Sequence, residues 1–462
     1  MADYFALAET LNQCGQGHLL AEVSSLESSV RDRYLERLSA INWSELQQPY
    51  EAPALGAVGS SRVVTTAEIA AAAVDLNTRG EVAYRAGQVA VLMVAGGQGT
   101  RLGSDAPKGC FQIAPHSGKS IFQLHAERVL ALSRRIGKAV PFLIMTSAAT
   151  DGETRDFIQA HGYFGLEPAQ VHFFAQGAVP SLDETGRALL QAPGHLLENP
   201  DGHGGCFTAL VNSGNLQRLV DGGIRHLIYI QVDNILGAVD DPTVIGLAER
   251  EQTDVITKVL EKAHPDEKVG HLVQVVVSGK SADHMVEYTE VTQEMARSRN
   301  ATGELIYRWG NTAMHCWSVA FLQRLVSSGY QLPLHRSRKP LSAWIDGRAQ
   351  SVTGWKSERF IFDLLPLAGT SIGLEVDRAV EFAPVKNAAM SNGKANSDSP
   401  ITAVQLASDL YANWLRAAGV TVTLPPNARI EISPLYAATK AEFLAKWDRR
   451  LKQITGDFYL EG

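Results

Sequence analysis

The stretch VAVLMVAGGQGTRLGSDAPKG, residues Val89–Gly109, decides the fold. An unbroken apolar run, typical of a buried strand, leads directly into Gly96 and Gly97. Glycine has no Cβ, so the backbone can approach a ligand closely here, and amide groups exposed in such a loop donate to phosphate oxygens. A glycine pair alone is typical of a tight strand-to-helix turn, but Arg101 and Lys108 add positive charge to the same loop. The combination predicts a strand–loop–helix unit that binds a nucleoside triphosphate.

Two better-known glycine motifs are excluded by their spacing. A dinucleotide-binding GxGxxG requires its third glycine at the position of Leu102. A Walker A loop ends in GK[ST], as residues 118–120 do, but its first glycine would have to stand at Ile113. Residues 279–281 fail the same test, because Gln274 holds the required position. Neither an NAD-dependent dehydrogenase nor a P-loop NTPase fits the sequence.

The rest of the central region alternates short apolar runs with helical patterns. PFLIMTSA, VHFFAQG and HLIYIQVDN resemble buried strands, whereas IFQLHAERVLAL has the spacing of an amphipathic helix. This alternation of strand and helix patterns predicts an α/β fold with a mixed, mostly parallel sheet. Residues 254–291 hold three β-rich runs without long helices, which indicates an antiparallel excursion.

The two ends of the chain differ from this centre. Apolar residues recur at helical spacing in the N-terminal segment, and PYEAPALGAVGSS, residues 49–61, is typical of a linker. Ser399 and Pro400 suit the N-cap and first position of a helix, which Gly419 can end. We therefore expect an N-terminal helical region over 1–85, a catalytic domain over 86–400 and a small C-terminal region over 401–462.

Composition limits the class of protein. The chain has 462 residues, 45% hydrophobic and 20% charged, with a net charge of −7, which is typical of a globular protein of two or three domains. The acidic balance argues against nucleic-acid binding. The four cysteines show no CxxC spacing, no apolar run approaches ~20 residues, and the N-terminus lacks a basic-then-apolar pattern. We expect a cytoplasmic protein that binds no membrane.

The glycine-rich block and seven further blocks together resemble the eukaryotic-type UDP-sugar pyrophosphorylases, most closely their N-acetylglucosamine branch. The further blocks are YFGLEPAQVHFFAQGAVPSL, NPDGHGG, YIQVDNILGAVDDP, MVEYTEV, GNTAMHCWSV, ERFIFDLL and FAPVKNAAMSNGKAN, in the family's order. The likeness extends from the N-terminal helices to about residue 415. It implies a Rossmann-like nucleotidyltransferase sheet of the GT-A-like kind.

The resemblance also implies site residues, of three kinds. The implied catalytic residues are Arg101, Lys108 and Lys386. Those that contact the nucleotide are Ala95, Gly96, Gly97, Gln176, Gly202 and Asp233. Those that contact the sugar are His203, Gly270, Glu287, Tyr288, Asn311 and Lys356. Gln176 carries an amide that can pair with a uracil edge, and Asp233, after a buried strand, can hold Mg²⁺.

The implied reaction joins UTP and N-acetylglucosamine-1-phosphate into UDP-N-acetylglucosamine, releasing pyrophosphate, with Mg²⁺ as cofactor. His203 departs from the pattern, since N-acetylhexosamine enzymes of this family usually carry Asn there, whereas glucose-type relatives often show His. A UDP-glucose or UDP-galactose pyrophosphorylase of broad specificity therefore stays open, and N-acetylgalactosamine-1-phosphate is not excluded. A UDP-sugar-binding protein without catalytic activity is the alternative from another class. The sequence does not determine the oligomeric state.

Overall fold

The computed structural model describes residues 2–21, 23–48, 58–277, 279–391, 393–448 and 450–462. The chain divides into two compact units, each built from three separate segments. The smaller unit comprises Met1–Ala54, Gln176–Ala209 and Gln331–Asp363. The larger unit comprises Leu55–Ala175, Leu210–Tyr330 and Leu364–Gly462. The division into 1–85, 86–400 and 401–462 that the sequence favours stays a prediction.

The α-helices of the described residues are, in chain order, α1 Ala2–Gln13, α2 Ser28–Ser39, α3 Trp43–Gln47, α4 Thr66–Ala86, α5 Ile121–Ile136, α6 Asp151–Ala160, α7 Gly205–Asn212, α8 Asn215–Asp221, α9 Pro242–Glu251, α10 Gln293–Arg297, α11 Val319–Ser327, α12 Arg378–Glu381, α13 Pro400–Ala417 and α14 Lys440–Lys446. None of the helices in this part of the chain is long and apolar enough to cross a bilayer. The expected cytoplasmic location stays a prediction.

The β-strands of the same residues are β1 Val58–Gly59, β2 Val63–Val64, β3 Val89–Val94, β4 Phe142–Thr146, β5 Val171–Ala175, β6 Ala178–Pro180, β7 Leu182–Asp183, β8 Leu190–Ala192, β9 His195–Leu196, β10 Glu198–Pro200, β11 His226–Gln231, β12 Val255–Glu261, β13 His271–Val277, β14 Lys280–Val286, β15 Trp309–Ser318, β16 His335–Ile345, β17 Arg348–Glu358, β18 Ser371–Glu375, β19 Met390–Ser391, β20 Lys394–Ala395, β21 Thr421–Val422, β22 Ile430–Ile432, β23 Gln453–Ile454 and β24 Phe458–Leu460.

The larger unit is built on one mixed sheet with the strand order β2-β18-β12-β15-β11-β3-β4-β5. Neighbours along this path run parallel except at β15, which is antiparallel to both β11 and β12. The apolar runs of β3, β4 and β11 are buried almost throughout, as expected for strands covered on both faces. The predicted mixed, mostly parallel α/β sheet is confirmed.

The strand order reverses at β3, and this places two loops side by side. The chain continues from β3 to β4 on one side, while β11 pairs with β3 on the other, in register from Val89↔His226 to Val94↔Gln231. Both strands are parallel, so the glycine-rich loop after β3 and the VDN segment after β11 leave the sheet at the same carboxyl edge. Ligands of open α/β sheets bind at such a reversal point.

The antiparallel excursion expected over residues 254–291 is present. Strands β13 and β14 form an antiparallel hairpin, and β13 joins the main sheet through a single pair, His271↔Gly310. The run HMVEYTEV is a strand only as far as Val286, so the following Glu287 and Tyr288 lie on a turn beyond the strand end.

The predicted C-terminal helix is present with its expected ends. Helix α13 has Ser399 as N-cap, with a capping box to Thr402, and Pro400 at its first position. Gly419 follows the last turn with φ of +86°, the left-handed conformation that ends helices. Residues 49–57 of the expected linker lie outside the described residues, and Val58–Gly59 at its end form β1.

The smaller unit combines the N-terminal helices with small antiparallel sheets. Strands β16 and β17 form a long hairpin, to which β7 adds through Leu182↔Trp355. The expected helical N-terminus consists of α1, α2 and α3, separated by short 3₁₀ turns. On α2, Tyr34 and Leu38 are buried, as their helical spacing predicts.

Candidate functional site

The glycine-rich loop begins at Ala95, a buried residue directly after β3. It then folds back on itself, so that its end lies beside its start. The Ala95 N–H donates to the Met145 carbonyl at 2.8 Å, and the Lys108 N–H donates to the Gly97 carbonyl at 3.0 Å. Within the described chain, neither the Gly96 nor the Gly97 N–H has a backbone acceptor. A Cβ built on Gly97 would meet no atom within 4 Å. The loop thus offers amide donors and open space at one point, which is what a phosphate or a nucleobase requires.

Lys108 and Asp233 meet at the carboxyl edge of the sheet. The Lys108 ammonium lies 3.5 Å from a carboxylate oxygen of Asp233, and the two side chains are 19% and 12% exposed. The pair links the end of the glycine-rich loop with the segment after β11. A largely buried lysine that is held by a single carboxylate at this distance can turn to a phosphate oxygen when one is present.

Two side chains of α5 hold the segment that carries Asp233. His125 Nε2 hydrogen bonds to the Val232 carbonyl at 3.1 Å, and Arg128 Nη2 donates to the Ile235 carbonyl at 2.6 Å. Burial, aided by nearby Arg128, lowers the pKa of His125 to about 3, so the ring is neutral and its Nε2 is the donor. The backbone on both sides of Asp233 is therefore fixed by a buried helix.

Lys386 is brought to Asp233 through the backbone. The Val385 N–H donates to the Asp233 carbonyl at 2.9 Å, which places the following Lys386, an exposed side chain, at the same edge. Asn234 reinforces this contact, since its side chain donates to the Glu381 carbonyl at 2.7 Å and accepts from the Ala383 N–H at 2.9 Å. The structure thus brings the Lys108–Asp233 pair and the backbone of Lys386 to one sheet edge, while their roles stay a prediction.

Asn234 and Asp398 are residues of this site that the sequence reasoning missed. Asp398 has φ of +50°, and its carbonyl accepts from the N–H groups of both Lys386 and Asn387. Burial raises the pKa of the Asp398 carboxyl, Lys386 opposes that rise, and Asp233 adds to it. The buried amide that directly follows Asp233 in IQVDN was a usable signal for Asn234. Asp398 had none, because its contact with Lys386 spans a loop.

The predicted sugar-binding residues Gly270, Glu287 and Asn311 are also close together in the larger unit. The Asn311 N–H donates to the Gly270 carbonyl at 2.8 Å, and a Cβ on Gly270 would lie 3.1 Å from the Glu287 carboxylate. Asn311 precedes a register shift between β12 and β15, where Ala313 has φ of +57°. Irregularities of this kind redirect side chains and are common beside binding sites.

Two predicted residues of the larger unit are solvent-exposed. Arg101 lies in the 3₁₀ turn Thr100–Leu102, and Tyr288 is 42% exposed on the turn after β14. An exposed ring and an exposed guanidinium are available to a ligand.

The second glycine-rich loop, NPDGHGG, lies in the smaller unit and packs against its own chain. Gly202 has φ of +85°, and a Cβ built on it would lie 2.6 Å from the Arg359 carbonyl oxygen. The Gly204 N–H donates to that same oxygen at 2.8 Å, and the Arg359 N–H donates to the Asp201 carbonyl. Burial raises the pKa of the Asp201 carboxyl to about 6, with Arg359 opposing the rise.

His203 is inserted among aromatic rings of the same unit. Its ring lies 5.4 Å from Phe360, nearly parallel to it, and 5.4 Å from Phe362. The Ile361 N–H donates to His203 Nδ1 at 3.2 Å, so the neutral ring carries its proton on Nε2. Burial, together with His335, lowers the pKa of His203 to about 4. The imidazole therefore presents a neutral N–H donor at neutral pH, and its contact with a sugar stays a prediction.

Gln176 and Lys356 flank the NPDGHGG loop within the smaller unit. Gln176 directly follows β5, and the next residue, Gly177, accepts the Asp201 N–H through its carbonyl at 3.0 Å. Lys356 lies on β17 opposite Ser337, two residues before Glu358, whose Cβ is 3.0 Å from the Cβ position of Gly202. The backbone thus gathers the four predicted residues of this unit around one loop.

The Walker-like ending at residues 118–120 has a structural role. The Lys119 ammonium lies 2.7 Å from the Glu127 carboxylate and 3.0 Å from the Ser433 hydroxyl. This side chain is 11% exposed and Glu127 is 4% exposed. The lysine is held by its own chain, in agreement with the exclusion of a P-loop on spacing.

Comparison with known proteins agrees with this architecture. The model of the UTP–glucose-1-phosphate uridylyltransferase family matches residues 29–453. UDP-N-acetylglucosamine diphosphorylase 2 of Arabidopsis thaliana is 40% identical over 379 residues, 78% of this chain and 73% of that protein. UDP-N-acetylglucosamine pyrophosphorylase of Saccharomyces cerevisiae is 36% identical, covering 73% of this chain and 71% of its own.

Solved structures give the same result. The putative UDP-N-acetylglucosamine pyrophosphorylase of Entamoeba histolytica superposes with a TM-score of 0.75 at 31% identity, covering 87% of this chain and 99% of that one. The UDP-N-acetylglucosamine pyrophosphorylase of Trypanosoma brucei reaches a TM-score of 0.78 at 28% identity, covering 100% and 99%. The chain belongs to the UTP–glucose-1-phosphate uridylyltransferase family.

Proposed function

We propose that the chain transfers the uridylyl group of UTP to N-acetylglucosamine-1-phosphate, forming UDP-N-acetylglucosamine and pyrophosphate. The observation that carries this proposal is that the Gly96–Gly97 loop, which is open at Gly97, lies at one sheet edge with the Lys108–Asp233 pair and the Lys386 segment. The relatives at 40% and 36% identity are named for this sugar nucleotide, which favours it over other members of the family. As a family member, the chain is a nucleotidyltransferase.

The reaction needs no nucleophilic side chain. The phosphate oxygen of the sugar phosphate is already ionised at neutral pH, so it attacks the α-phosphorus of UTP in line. The bond from the α-phosphorus to the bridging oxygen breaks, and pyrophosphate leaves with that electron pair. The work of the protein is to align two anions that repel each other and to stabilise the charge that develops on the leaving group.

The residues of the larger unit have distinct proposed roles. Lys108 and Arg101 hold the triphosphate, while the amides of Gly96 and Gly97, beside Ala95, bind phosphate or base. Lys386 binds the sugar phosphate and the α-phosphate. Gly270, Glu287, Tyr288 and Asn311 contact the sugar, where a carboxylate and an amide can bind hydroxyl groups. These roles come from the family pattern and are compatible with the contacts of the chain.

The predicted residues of the smaller unit have proposed roles of their own. The Gln176 amide pairs with the uracil edge, and Gly202 lies along the nucleoside. His203 offers its Nε2–H to the sugar, and Lys356 offers a positive charge to the phosphate. Each of these binding roles can be tested by substituting the residue, because the proposed chemical steps stay the same whatever the outcome.

Mg²⁺ is the proposed cofactor, and the donor set fits it. In the described ranges, no group of three or more His, Cys, Asp or Glu side chains is arranged to hold a metal ion. Mg²⁺ commonly takes only one or two carboxylates from a protein and completes its shell with water and phosphate oxygens, so Asp233 would hold it. When bound, the ion would neutralise phosphate charge.

A glucose- or galactose-1-phosphate substrate is the second candidate. His203 favours it, because the family's N-acetylhexosamine enzymes usually carry Asn at this position, and the matching family model is named for glucose-1-phosphate. A UDP-sugar-binding protein without activity is the third possibility, although it would not need Lys108, Asp233 and Lys386 together.

The deciding experiment measures pyrophosphate release from UTP and Mg²⁺ with four sugar-1-phosphates in parallel. The sugars are N-acetylglucosamine, N-acetylgalactosamine, glucose and galactose. We expect N-acetylglucosamine-1-phosphate to give the highest kcat/KM. A preference for glucose or galactose would overturn the proposed substrate, and binding of UDP-sugar without any pyrophosphate release would overturn the reaction.

A further inference from the structure

The turn that follows β4 places one buried serine beside the glycine-rich loop. Strand β4 is the sheet neighbour of β3, and Ser147 directly follows its last residue, Thr146. The Ser147 carbonyl accepts from the N–H groups of both Thr150 and Asp151 at 2.9 Å, which fixes the backbone of this turn at the start of α6. The side chain of Ser147, a residue that is 2% exposed, is therefore held at the same carboxyl edge at which the glycine-rich loop begins.

The Ser147 hydroxyl contacts the glycine-rich loop and a second hydroxyl. It lies 2.8 Å from the Gly96 carbonyl oxygen and 3.0 Å from the hydroxyl of Thr150, which is fully buried. The carbonyl oxygen has no proton to give, so the single hydroxyl proton of Ser147 goes to Gly96, and Thr150 is the donor to Ser147. The two hydrogen bonds form a chain in which each strengthens the other.

This hydrogen bond determines where the next amide points. The peptide between Gly96 and Gly97 is trans, so its carbonyl and its N–H lie in one plane and point in opposite directions. Because Ser147 holds the Gly96 carbonyl, the Gly97 N–H points away from Ser147. Gly97 is exposed, and the described chain offers its N–H no backbone acceptor. Glycine restricts backbone rotation least, so a peptide between two glycines needs such a hydrogen bond to keep one orientation.

We propose that Ser147 is a positioning residue for the nucleotide: by holding the Gly96 carbonyl, it keeps the Gly97 N–H directed at an acceptor oxygen of UTP. This inference rests on the proposed function, since it names the residue that prepares one donor of that site. A donor that is already oriented before UTP arrives avoids the cost of ordering the peptide during binding. Ser147 itself need not touch UTP.

The test measures the Kd for UTP with Mg²⁺ by calorimetry, and kcat and KM for pyrophosphate release, on the full chain. Ser147→Ala removes the donor to Gly96 and should raise both the Kd and the KM for UTP about fivefold, the contribution of one hydrogen bond. The value of kcat should stay within about twofold, because an amide that contacts UTP equally before and during the reaction contributes to binding alone.

Two further variants separate this role from a loss of stability. Ser133→Ala is the matched control, because Ser133 is also buried and donates to a backbone carbonyl, that of Val129, at 2.9 Å. It should lower the melting temperature, as Ser147→Ala does, and leave the Kd for UTP unchanged. Ser147→Cys keeps the size of the side chain with a much weaker donor, so it should fold even where Ser147→Ala does not, and it should raise the Kd in the same direction.

The outcomes distinguish this inference from the proposed reaction. An unchanged Kd for UTP in both Ser147 variants would overturn the role of Ser147 and leave the reaction intact. An equal rise of the Kd in Ser133→Ala, or a fall in kcat without a change in Kd, would also overturn it. UTP binding that depends on Ser147, without any pyrophosphate release, would support the inference and overturn the reaction. A wild type that bound no UTP would overturn both.

Discussion

Two glycine-rich loops of this protein have similar sequences and different physical reasons for their glycines. In the loop after β3, a side chain at Gly97 would meet only empty space. In the NPDGHGG loop of the smaller unit, a side chain at Gly202 would collide with the Arg359 backbone, and φ is positive. The contacts of the described chain do not require glycine at position 97, and the proposed nucleotide would use the open space beside it. The second is required for folding whether or not it also touches a nucleotide.

The largest expected effect concerns the charges beside the first loop. Lys108→Ala and Lys386→Ala should each lower kcat about 10²–10³-fold, because each removes a positive charge aimed at the reacting phosphates. Both variants should melt at the wild-type temperature. Lys394→Ala, which changes an exposed lysine on β20, is the matched control and should keep full turnover. Unchanged kcat in both alanine variants would show that the first loop is not the catalytic one.

The second effect is a loss of stability in the second loop. Gly202→Ala should lower the free energy of unfolding by more than the roughly 1–2 kcal/mol that a left-handed alanine costs, because its Cβ also meets Arg359. Gly186→Ala is the control, since Gly186 has nearly the same φ, +86°, and its nearest neighbour is 3.5 Å away. If thermal or denaturant unfolding gave the same loss of stability for Gly202→Ala and Gly186→Ala, the close approach to Arg359 would contribute nothing to the effect.

The reverse behaviour is expected at Gly97. Gly97→Ala should change the free energy of unfolding by no more than about 0.5 kcal/mol, as for other substitutions without contacts. It should raise the KM for UTP about tenfold, because the new methyl group occupies the space of the ligand. Gly456→Ala, also without neighbours within 4 Å and outside the helices and strands, should leave both quantities unchanged. A stable Gly97→Ala enzyme with wild-type KM would remove the distinction between the two loops.

The smallest effect is a pH dependence confined to the second loop. The pKa of Asp201 is raised to about 6, so its contribution to stability is greatest at low pH and is lost as pH rises from 4 to 6. The pKa of His203 is lowered to about 4, so its contribution is complete above pH 6.5 and is lost as pH falls toward 4. The two contributions oppose each other over the same pH range, so the net slope of the wild type is small.

Single substitutions should separate the two groups. Asp201→Asn should make the loss of stability on acidification steeper, and His203→Asn should make it shallower, each on the order of 1 kcal/mol between pH 6.5 and 4.5. Thermal unfolding measured across this range checks both signs. If stability changed with pH in the same way in the wild type and both variants, the result would contradict the pKa shifts of Asp201 and His203.

Much of the fold could be predicted because its strands and caps are local patterns. The apolar runs predicted β3, β4, β5 and β11, and Ser399 with Pro400 predicted the start of α13. The antiparallel course of β15 could not be predicted, because it depends on pairing with β11 and β12, far away in sequence. The assembly of the smaller unit from three separate segments could not be predicted either, because it depends on contacts between residues far apart in sequence.

The candidate site was predictable only in part. Lys108, Asp233 and Lys386 were named from motifs, and the structure joins them. Asn234 was missed although it directly follows Asp233, because its contacts with residues 381 and 383 join positions far apart in sequence. The second loop shows a different limit. From its sequence, a ligand is the only visible reason for Gly202. The structure adds another reason, because the Arg359 backbone lies too close for a side chain at this position.

The most direct test of the central claim is hydrogen exchange of the whole chain with and without UTP and Mg²⁺. UTP should slow exchange of the Gly96 and Gly97 amides, for which the described part of the chain offers no backbone acceptor. The Gly204 amide, already bound to the Arg359 carbonyl, should be protected before nucleotide is added. Unchanged exchange at Gly96 and Gly97 under saturating UTP would contradict the claim that the loop after β3 receives the nucleotide.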